Sequence, residues 1–123
     1  VELDTYLGKI MDLLEERGMY KRVMLVATSE FGRTPKVNSN AGRDHFGKLT
    51  PLMISCGGYD MGRVIGTTNA NADEAEEGRC EPQDLAWTIF NHLDIDKRTR
   101  WTATDGRPHY MVKNEAKNIL TEV

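Results

Sequence analysis

Two uninterrupted apolar runs, residues 23–27 and residues 52–54, constrain the fold of this chain more than any other feature. Short continuous runs of β-prone residues are typical of strands buried on both faces, as parallel strands in α/β proteins usually are. In open α/β sheets, ligands bind just beyond the carboxyl ends of such strands. The sequence therefore predicts an α/β fold with two interior strands and a functional edge where the first strand ends.

The segment between the two runs is polar and contains the densest set of metal-capable side chains in the sequence. Glu30 follows the first run closely, and Asp44 and His45 precede the second. Carboxylates and imidazoles are common ligands of divalent cations, although each also occurs as a hydrogen-bonded structural group. In an extended segment Asp44 and His45 point to opposite sides, so only one of them faces a given site. We expect Glu30 and His45 to meet at the same edge.

Positive charge and turn-forming residues accompany these candidates. Arg33 is either an ion-pair partner of Glu30 or, like Arg43, a group that presents its planar fork to phosphate or sulfate. Asn38 and Asn40 either cap turns or contact a ligand. The segment is thus a predicted loop that combines a cation site with an anion site.

The remaining chain shows two helical patterns separated by a polar stretch. Apolar residues recur at helical spacing over residues 3–14, which predicts an amphipathic helix with one buried stripe and a stop at Gly18. Residues 69–78 are acidic and lack apolar periodicity, so we expect a solvated surface loop. A second helix is predicted from Pro82 to near Asp94. No internal repeat is evident.

Composition narrows the classes of function. Apolar content of 39% and a net charge of -3 describe one ordinary globular region, and no cluster of Lys and Arg indicates a nucleic-acid surface. No apolar stretch approaches the ~20 residues of a membrane span. Cys56 and Cys80 do not form a zinc ribbon, and whether they pair is open. In the tail we expect irregular structure that packs Trp101 or Tyr110 back on the body, with a short helical stretch near the end.

Several motifs occur in one order that is similar to a known family. They are SEFGRTP, N-x-N-x-GRDHF, PLMISCGG, EPQDLAWTIFNHLDID and DGRPHY. Together they resemble the C-terminal part of the domain-of-unknown-function family 1501, bacterial proteins related to sulfatases. The resemblance covers nearly the whole chain. It implies that residues 1–123 form a single α/β region, the C-terminal part of an alkaline-phosphatase-like three-layer domain with a mostly parallel sheet.

The resemblance also implies site residues. Members of that superfamily use divalent cations and a Ser, Thr or modified Cys nucleophile to hydrolyse phosphate or sulfate esters. Glu30 and Phe31 stand where the superfamily has an Asp-His metal pair, and His45 resembles its later metal-binding His. Asp44 is a further candidate ligand, and the cation would be zinc, calcium, magnesium or manganese. Because Phe31 cannot bind a metal, the resemblance does not carry over a complete two-metal site.

The resemblance therefore implies part of a metal-dependent, sulfatase-like hydrolase of sulfate or phosphate esters, with the nucleophile expected upstream of Val1. The isolated chain is then expected not to turn over substrate. The alternative is a catalytically inactive exported module that binds anionic glycans or proteins through the same loop. In either case the expected partner is an anionic ester or a sulfated or phosphorylated glycan. Export signals in the family imply an extracytoplasmic or periplasmic location.

Overall fold

A computed structural model describes residues 2–123 and divides the chain into two compact units, Val1–Arg63 and Val64–Val123. The chain combines helices with short strands. That residues 1–123 form one region of a larger domain stays a prediction. No helix among the described residues is long and apolar enough to cross a membrane. In chain order the elements are α1 (Glu2–Glu16), β1 (Leu25–Thr28), β2 (Gly32–Arg33), β3 (His45–Phe46), β4 (Leu52–Ser55), α2 (Pro82–His92), β5 (Arg100–Thr102) and β6 (Pro108–Tyr110).

The two apolar runs form β1 and β4, which pair with each other in antiparallel orientation. Leu25 lies opposite Ser55 and Thr28 lies opposite Leu52. The pairs β2–β3 and β5–β6 are antiparallel as well. The prediction of a three-layer domain with a mostly parallel sheet is therefore wrong for the described residues. Parallel neighbours need a crossover connection, usually a helix, whereas residues 29–51 contain no helix and return as an elaborated hairpin.

Helix α1 forms where the apolar spacing predicts it. Gly18 adopts a φ of 63°, and the Met19 N–H donates to the Leu14 carbonyl at 2.7 Å, which ends the helix. The predicted buried stripe forms only in part, because Leu7, Met11 and Leu14 are half-buried, no helix residue is fully buried and Leu3 is 66% exposed. Amphipathic spacing specifies a helix with one apolar face, but burial also requires a partner, and no strand of this unit packs against α1.

Helix α2 is anchored by a buried polar cluster in its first two turns. The carboxylate of Asp84, only 8% exposed, accepts hydrogen bonds from the N–H groups of Glu81 and Lys117, both at 2.7 Å. The Thr88 hydroxyl donates to the Asp84 carbonyl and accepts from the Ile119 N–H at 2.8 Å. The bond from Glu81 caps the helix, and the bonds from Lys117 and Ile119 tie the C-terminal segment to it. The predicted start at Pro82 is confirmed.

The C-terminal segment supplies the apolar core of the second unit. Its buried apolar side chains are Val112, Ala116, Ile119 and Leu120. The helical stretch expected near the end is absent there, and turns take its place. Trp101 and Tyr110 do not pack back on the body, contrary to prediction, since they are 54% and 46% exposed.

The acidic stretch at residues 69–78 lies largely on the surface, as predicted, but it is ordered by hydrogen bonds. Thr67 and Glu77 bond through the Thr67 N–H at 3.0 Å, and Thr68 bridges Ala75 in antiparallel fashion. These bonds turn the stretch into a short hairpin. Polar composition correctly predicted exposure and gave no indication of this local order.

Candidate functional site

The candidate residues lie in residues 29–51, which we call the hairpin insert. Because β1 and β4 are antiparallel, the end of β1 lies beside the start of β4. The Thr28 hydroxyl donates to the Pro51 carbonyl at 2.9 Å and closes this junction. The hairpin insert thus leaves and returns at the same end of the strand pair. The sequence predicted a shared edge of a parallel sheet, and the structure supplies one end of a hairpin instead.

A second, shorter ladder inside the insert places Arg33 opposite His45 and Gly32 opposite Phe46. Directly opposed residues of an antiparallel pair project from the same face, so Arg33 and His45 are neighbours. The ring of Phe31 stacks on the His45 imidazole, with centroids 3.9 Å apart and planes inclined by 30°. The Arg33 guanidinium lies 5.3 Å from the centre of the same phenyl ring. Phe31 therefore covers one face of the imidazole and leaves its nitrogen edge open.

Glu30 immediately precedes this stack and is exposed. Among residues 2–123 its carboxylate forms no hydrogen bond or ion pair, and neither do the ring nitrogens of His45. The ion pair with Arg33 that the sequence suggested for Glu30 is not formed among the described residues. The donor atoms of both metal candidates are therefore not engaged by other groups of the described chain.

Asp44 faces a different part of the insert. Its Oδ1 accepts a hydrogen bond from the Asn38 amide at 2.8 Å. Its N–H donates to the Thr34 hydroxyl, and its carbonyl accepts from the Thr34 N–H, both at 3.1 Å. Since side chains alternate along an extended strand, Asp44 projects toward the turn while His45 projects toward Phe31. Asp44 acts in this structure as the group that closes the turn.

Asn38 organises the turn at the tip of the insert. Its Oδ1 accepts from the N–H groups of Asn40 and Gly42, both at 3.0 Å, and its own N–H donates to the Gly42 carbonyl at 2.8 Å. Of the two roles that the sequence allowed, the structure gives Asn38 the turn-capping one. These hydrogen bonds close the turn just before Asp44 and the return strand β3.

The side chains of the two arginines join the two sides of the insert by hydrogen bonds to backbone carbonyls. Nη1 of Arg33 donates to the Arg43 carbonyl at 3.1 Å. Nη1 of Arg43 donates to the carbonyls of Thr34 and Pro35, at 2.9 and 2.6 Å. A guanidinium has five donors, so Nε and Nη2 of each side chain remain for an oxyanion. Both side chains are exposed, which leaves that edge accessible.

An open depression of about 390 Å³ lies on the Asp44 side of the turn. Its lining consists of Thr34, Lys36, Val37, Asn38, Ser39 and Asp44. Sequence reasoning did not single out Lys36 or Ser39. The only signal for them was their place in a stretch rich in turn formers, and that composition does not say which side chains face a common hollow.

No three side chains of His, Cys, Asp or Glu come together as a cation site among the described residues. Glu30, His45 and Asp44 therefore do not make such a group by themselves. Zinc and the harder divalent ions in proteins ordinarily take three or more protein ligands, or fewer with water and substrate oxygens. What the insert offers is two side chains with unengaged ligand atoms, Glu30 and His45, and an Arg33 side chain opposite His45 in the β2–β3 ladder.

Comparison with known proteins identifies the family. No curated protein and no solved structure matches this chain. The relation to sulfatases that the sequence motifs imply is outside what the comparisons show. The model of the family described as "Protein of unknown function (DUF1501)" matches residues 1–123, and the chain therefore belongs to that family.

Proposed function

We propose that this chain supplies part of the active site of a metal-dependent, sulfatase-like hydrolase of sulfate or phosphate esters. One observation carries the proposal. The hairpin insert leaves and returns at a single end of the β1–β4 pair, its short β2–β3 ladder sets Arg33 opposite His45, and Phe31, next to Glu30 in the chain, stacks on the His45 ring. The carboxylate and the imidazole edge there are unengaged within the described residues.

Each residue has a role in the proposed site. Glu30 and His45 are ligands from this chain to a divalent cation, and Arg33 and Arg43 bind the anionic ester through Nε and Nη2. Asp44 holds the turn through Asn38, so that the adjacent Arg43, which precedes the return strand β3, is held in a fixed position. A bound cation would neutralise charge on the ester and lower the pKa of a nucleophile.

The proposed site is completed by residues outside this chain. Two donors from the insert leave the cation short of ligands, and the described residues supply no third. We therefore propose that the nucleophile and the remaining ligands come from another part of a longer protein. The 123-residue chain alone should bind a cation weakly and should not turn over an ester.

The test uses the longest natural protein that contains this chain. Metal content is measured after dialysis, together with hydrolysis of aryl sulfates and aryl phosphates. Glu30→Gln and His45→Gln should each lower metal content and activity by about tenfold or more, in line with the loss expected for residues at a metal. Glu16→Gln, an exposed carboxylate on α1, is the matched control and should change neither quantity. Unchanged metal and activity in both site variants would refute the proposal.

The exposed guanidinium edges of Arg33 and Arg43 also favour a second candidate, a catalytically inactive module that binds anionic glycans or proteins through the same insert. Binding of this kind needs the arginines and not the cation. It should survive a chelator and His45→Gln, and it should be lost in the double variant Arg33→Ala, Arg43→Ala. A hydrolase predicts the opposite sensitivity to the chelator.

A further inference from the structure

The β5–β6 hairpin of the second unit exposes large aromatic side chains. All six residues of the two strands are exposed, including Trp101 at 54% and Tyr110 at 46%. Single exposed apolar residues are normal, and the two aromatic rings form no contiguous patch because they project from opposite faces of the ribbon. Tyr110 is held on one face of the ribbon by Arg100, whose Nη2 donates to its hydroxyl at 2.8 Å. Trp101 lies on the other face.

Trp101 is held in place by His109. The two residues are opposed in the ladder, and their rings stack with centroids 5.0 Å apart and planes inclined by 23°. Because backbone pairing fixes both residues, little side-chain freedom remains to be lost on binding. Trp101 therefore presents a preformed flat surface to the solvent.

Positive charge lies beside this surface. Residues 96–110 contain four Lys and Arg residues and two Asp residues, whereas the whole chain has a net charge of -3. Arg107 precedes β6, and its carbonyl accepts a hydrogen bond from the Ala103 N–H at 2.9 Å, so the pairing continues there and alternation places Arg107 on the face of His109. Its side chain is 81% exposed, and its one ion pair joins Nε to Asp105 Oδ2 at 3.4 Å. Exposed pairs of this kind contribute little, so the guanidinium can exchange Asp105 for an external anion.

We propose that Trp101, His109 and Arg107 form a binding surface for a uronate-rich polysaccharide. The negative face of the indole ring attracts the C–H bonds on the flat side of a pyranose, and stacking of this kind tolerates different linkages. A uronate carries its carboxylate on the ring itself, which brings the charge within reach of the neighbouring Arg107 fork. This surface lies in the second unit and does not depend on the proposed hydrolase site.

The observations favour an acidic sugar over two other classes of ligand. A neutral polysaccharide would stack on Trp101 but would leave the exposed Arg107 without a role. A single-stranded nucleic acid also stacks on aromatic rings, but it requires a groove of clustered Lys and Arg along its backbone. The chain is acidic overall, and only four Lys and Arg residues occur in residues 96–110.

The chain offers a matched control for Arg107. Arg98 is 83% exposed and likewise pairs with an Asp two residues away. That pair is tighter, since Arg98 Nε and Nη2 bond the two oxygens of Asp96 at 3.2 and 2.8 Å, and these bonds lower the pKa of Asp96 to about 2. Arg98 also lies outside the ribbon, in the turn before β5. Arg98→Ala removes the same charge without touching the proposed surface.

The experiment titrates the protein with a size-defined oligogalacturonide and measures the dissociation constant by calorimetry. Trp101→Ala should weaken binding about tenfold, which corresponds to roughly 1.4 kcal/mol. Trp101→Phe should retain part of the affinity, and Arg107→Ala should weaken binding by about threefold or more, with a reduced salt dependence. Arg98→Ala should bind as the parent protein does. Circular dichroism checks that each variant is folded.

Three outcomes would overturn this proposal. They are failure of the parent protein to bind the oligogalacturonide, equal losses in Arg98→Ala and Arg107→Ala, and tighter binding of a single-stranded oligonucleotide than of the sugar. Glu30→Gln and His45→Gln should leave the sugar affinity unchanged. Failure of this proposal is therefore distinguishable from failure of the proposed hydrolase site.

Discussion

A turn with the sequence Asn-x-Asn-Ala occurs once in each unit, at residues 38–41 and at residues 69–72. In both turns the first Asn accepts, through Oδ1, a hydrogen bond from the N–H four residues later. That N–H belongs to Gly42 in the first turn, at 3.0 Å, and to Asp73 in the second, at 3.1 Å. The side chain of one Asn thus replaces a backbone acceptor in each turn.

The fourth residue of both turns is strained in the same way. Ala41 has a φ of 57° and Ala72 a φ of 54°. This left-handed region is unfavourable for a residue with a Cβ, by roughly 1–2 kcal/mol. In each turn, the hydrogen bonds of the Asn side chain therefore offset the free-energy cost of the left-handed backbone.

The two turns differ in what the Asn amide reaches. Asn38 donates through Nδ2 to Asp44, on the return strand next to His45, at 2.8 Å. Asn69 donates to Asp73, inside its own turn, at 2.6 Å. The first turn is coupled to the candidate site and the second is self-contained. The same local chemistry thus shapes a functional loop in one unit and a surface hairpin in the other.

Asn38→Ala should produce the largest effect. It removes the acceptor of two backbone N–H groups and the amide that holds Asp44, and we expect the free energy of unfolding to fall by about 2 kcal/mol. Denaturant unfolding measures the change. Asn40→Ala, an exposed neighbour in the same turn, is the control. Equal effects of the two substitutions would show that Asn38 does not organise the turn.

Asn69→Ala should cost less, about 1 kcal/mol, because one backbone N–H loses its side-chain acceptor and no strand is released. Asn71→Ala is the control. In two-dimensional NMR spectra, the chemical shift of the His45 backbone amide should change in Asn38→Ala and should not change in Asn69→Ala. A shift of that signal in Asn69→Ala would contradict the difference drawn between the turns.

Glycine at the strained positions should stabilise both turns slightly. Ala41→Gly and Ala72→Gly relieve the left-handed backbone, but glycine also raises the entropy of the unfolded chain, so a net gain of about 0.5 kcal/mol is expected. Ala70→Gly lies outside that backbone region and should destabilise the protein instead. Thermal unfolding distinguishes these signs, and a loss at position 41 or 72 would show that the turns are not strained.

The smallest effect is expected from Asp44→Asn. The amide oxygen still accepts from Asn38, so the free energy of unfolding should change by less than about 0.5 kcal/mol. Asp44→Ala removes the acceptor altogether and serves as the comparison. If Asp44→Asn lowers the free energy of unfolding as much as Asp44→Ala does, the carboxylate charge at position 44 is required. Asp44 would then be considered again as a candidate ligand.

Parts of this architecture could be predicted from the sequence, and the reasons differ by element. Helical spacing and Pro82 located both helices, and the apolar runs located β1 and β4 within one or two residues. A short apolar run indicates burial but not strand direction, so the parallel arrangement was wrong. The exposure of α1 was also missed, because periodicity describes one helix face and not what covers it.

The candidate site, like the fold, was only partly predictable from the sequence. Residue chemistry identified the segment that contains Glu30 and His45, and alternation correctly separated Asp44 from His45. The stacking of Phe31 on His45 depends on strand register, which the sequence did not fix. The paired Asn-x-Asn-Ala turns were visible as letters, but they are too short to be found as a structural repeat of 20–50 residues.

Gly32 is the glycine of the insert at which a side chain would meet the backbone. A Cβ at this position would overlap the Leu49 carbonyl oxygen. That oxygen belongs to the backbone, so it cannot move away by a change of side-chain rotamer. Any larger residue at position 32 should push the backbone of Leu49 away and disturb the stacking of His45 on the phenyl ring of Phe31. Because position 32 has no Cβ, the chain can pack closely there, and the charged side chains of this segment can face the same side.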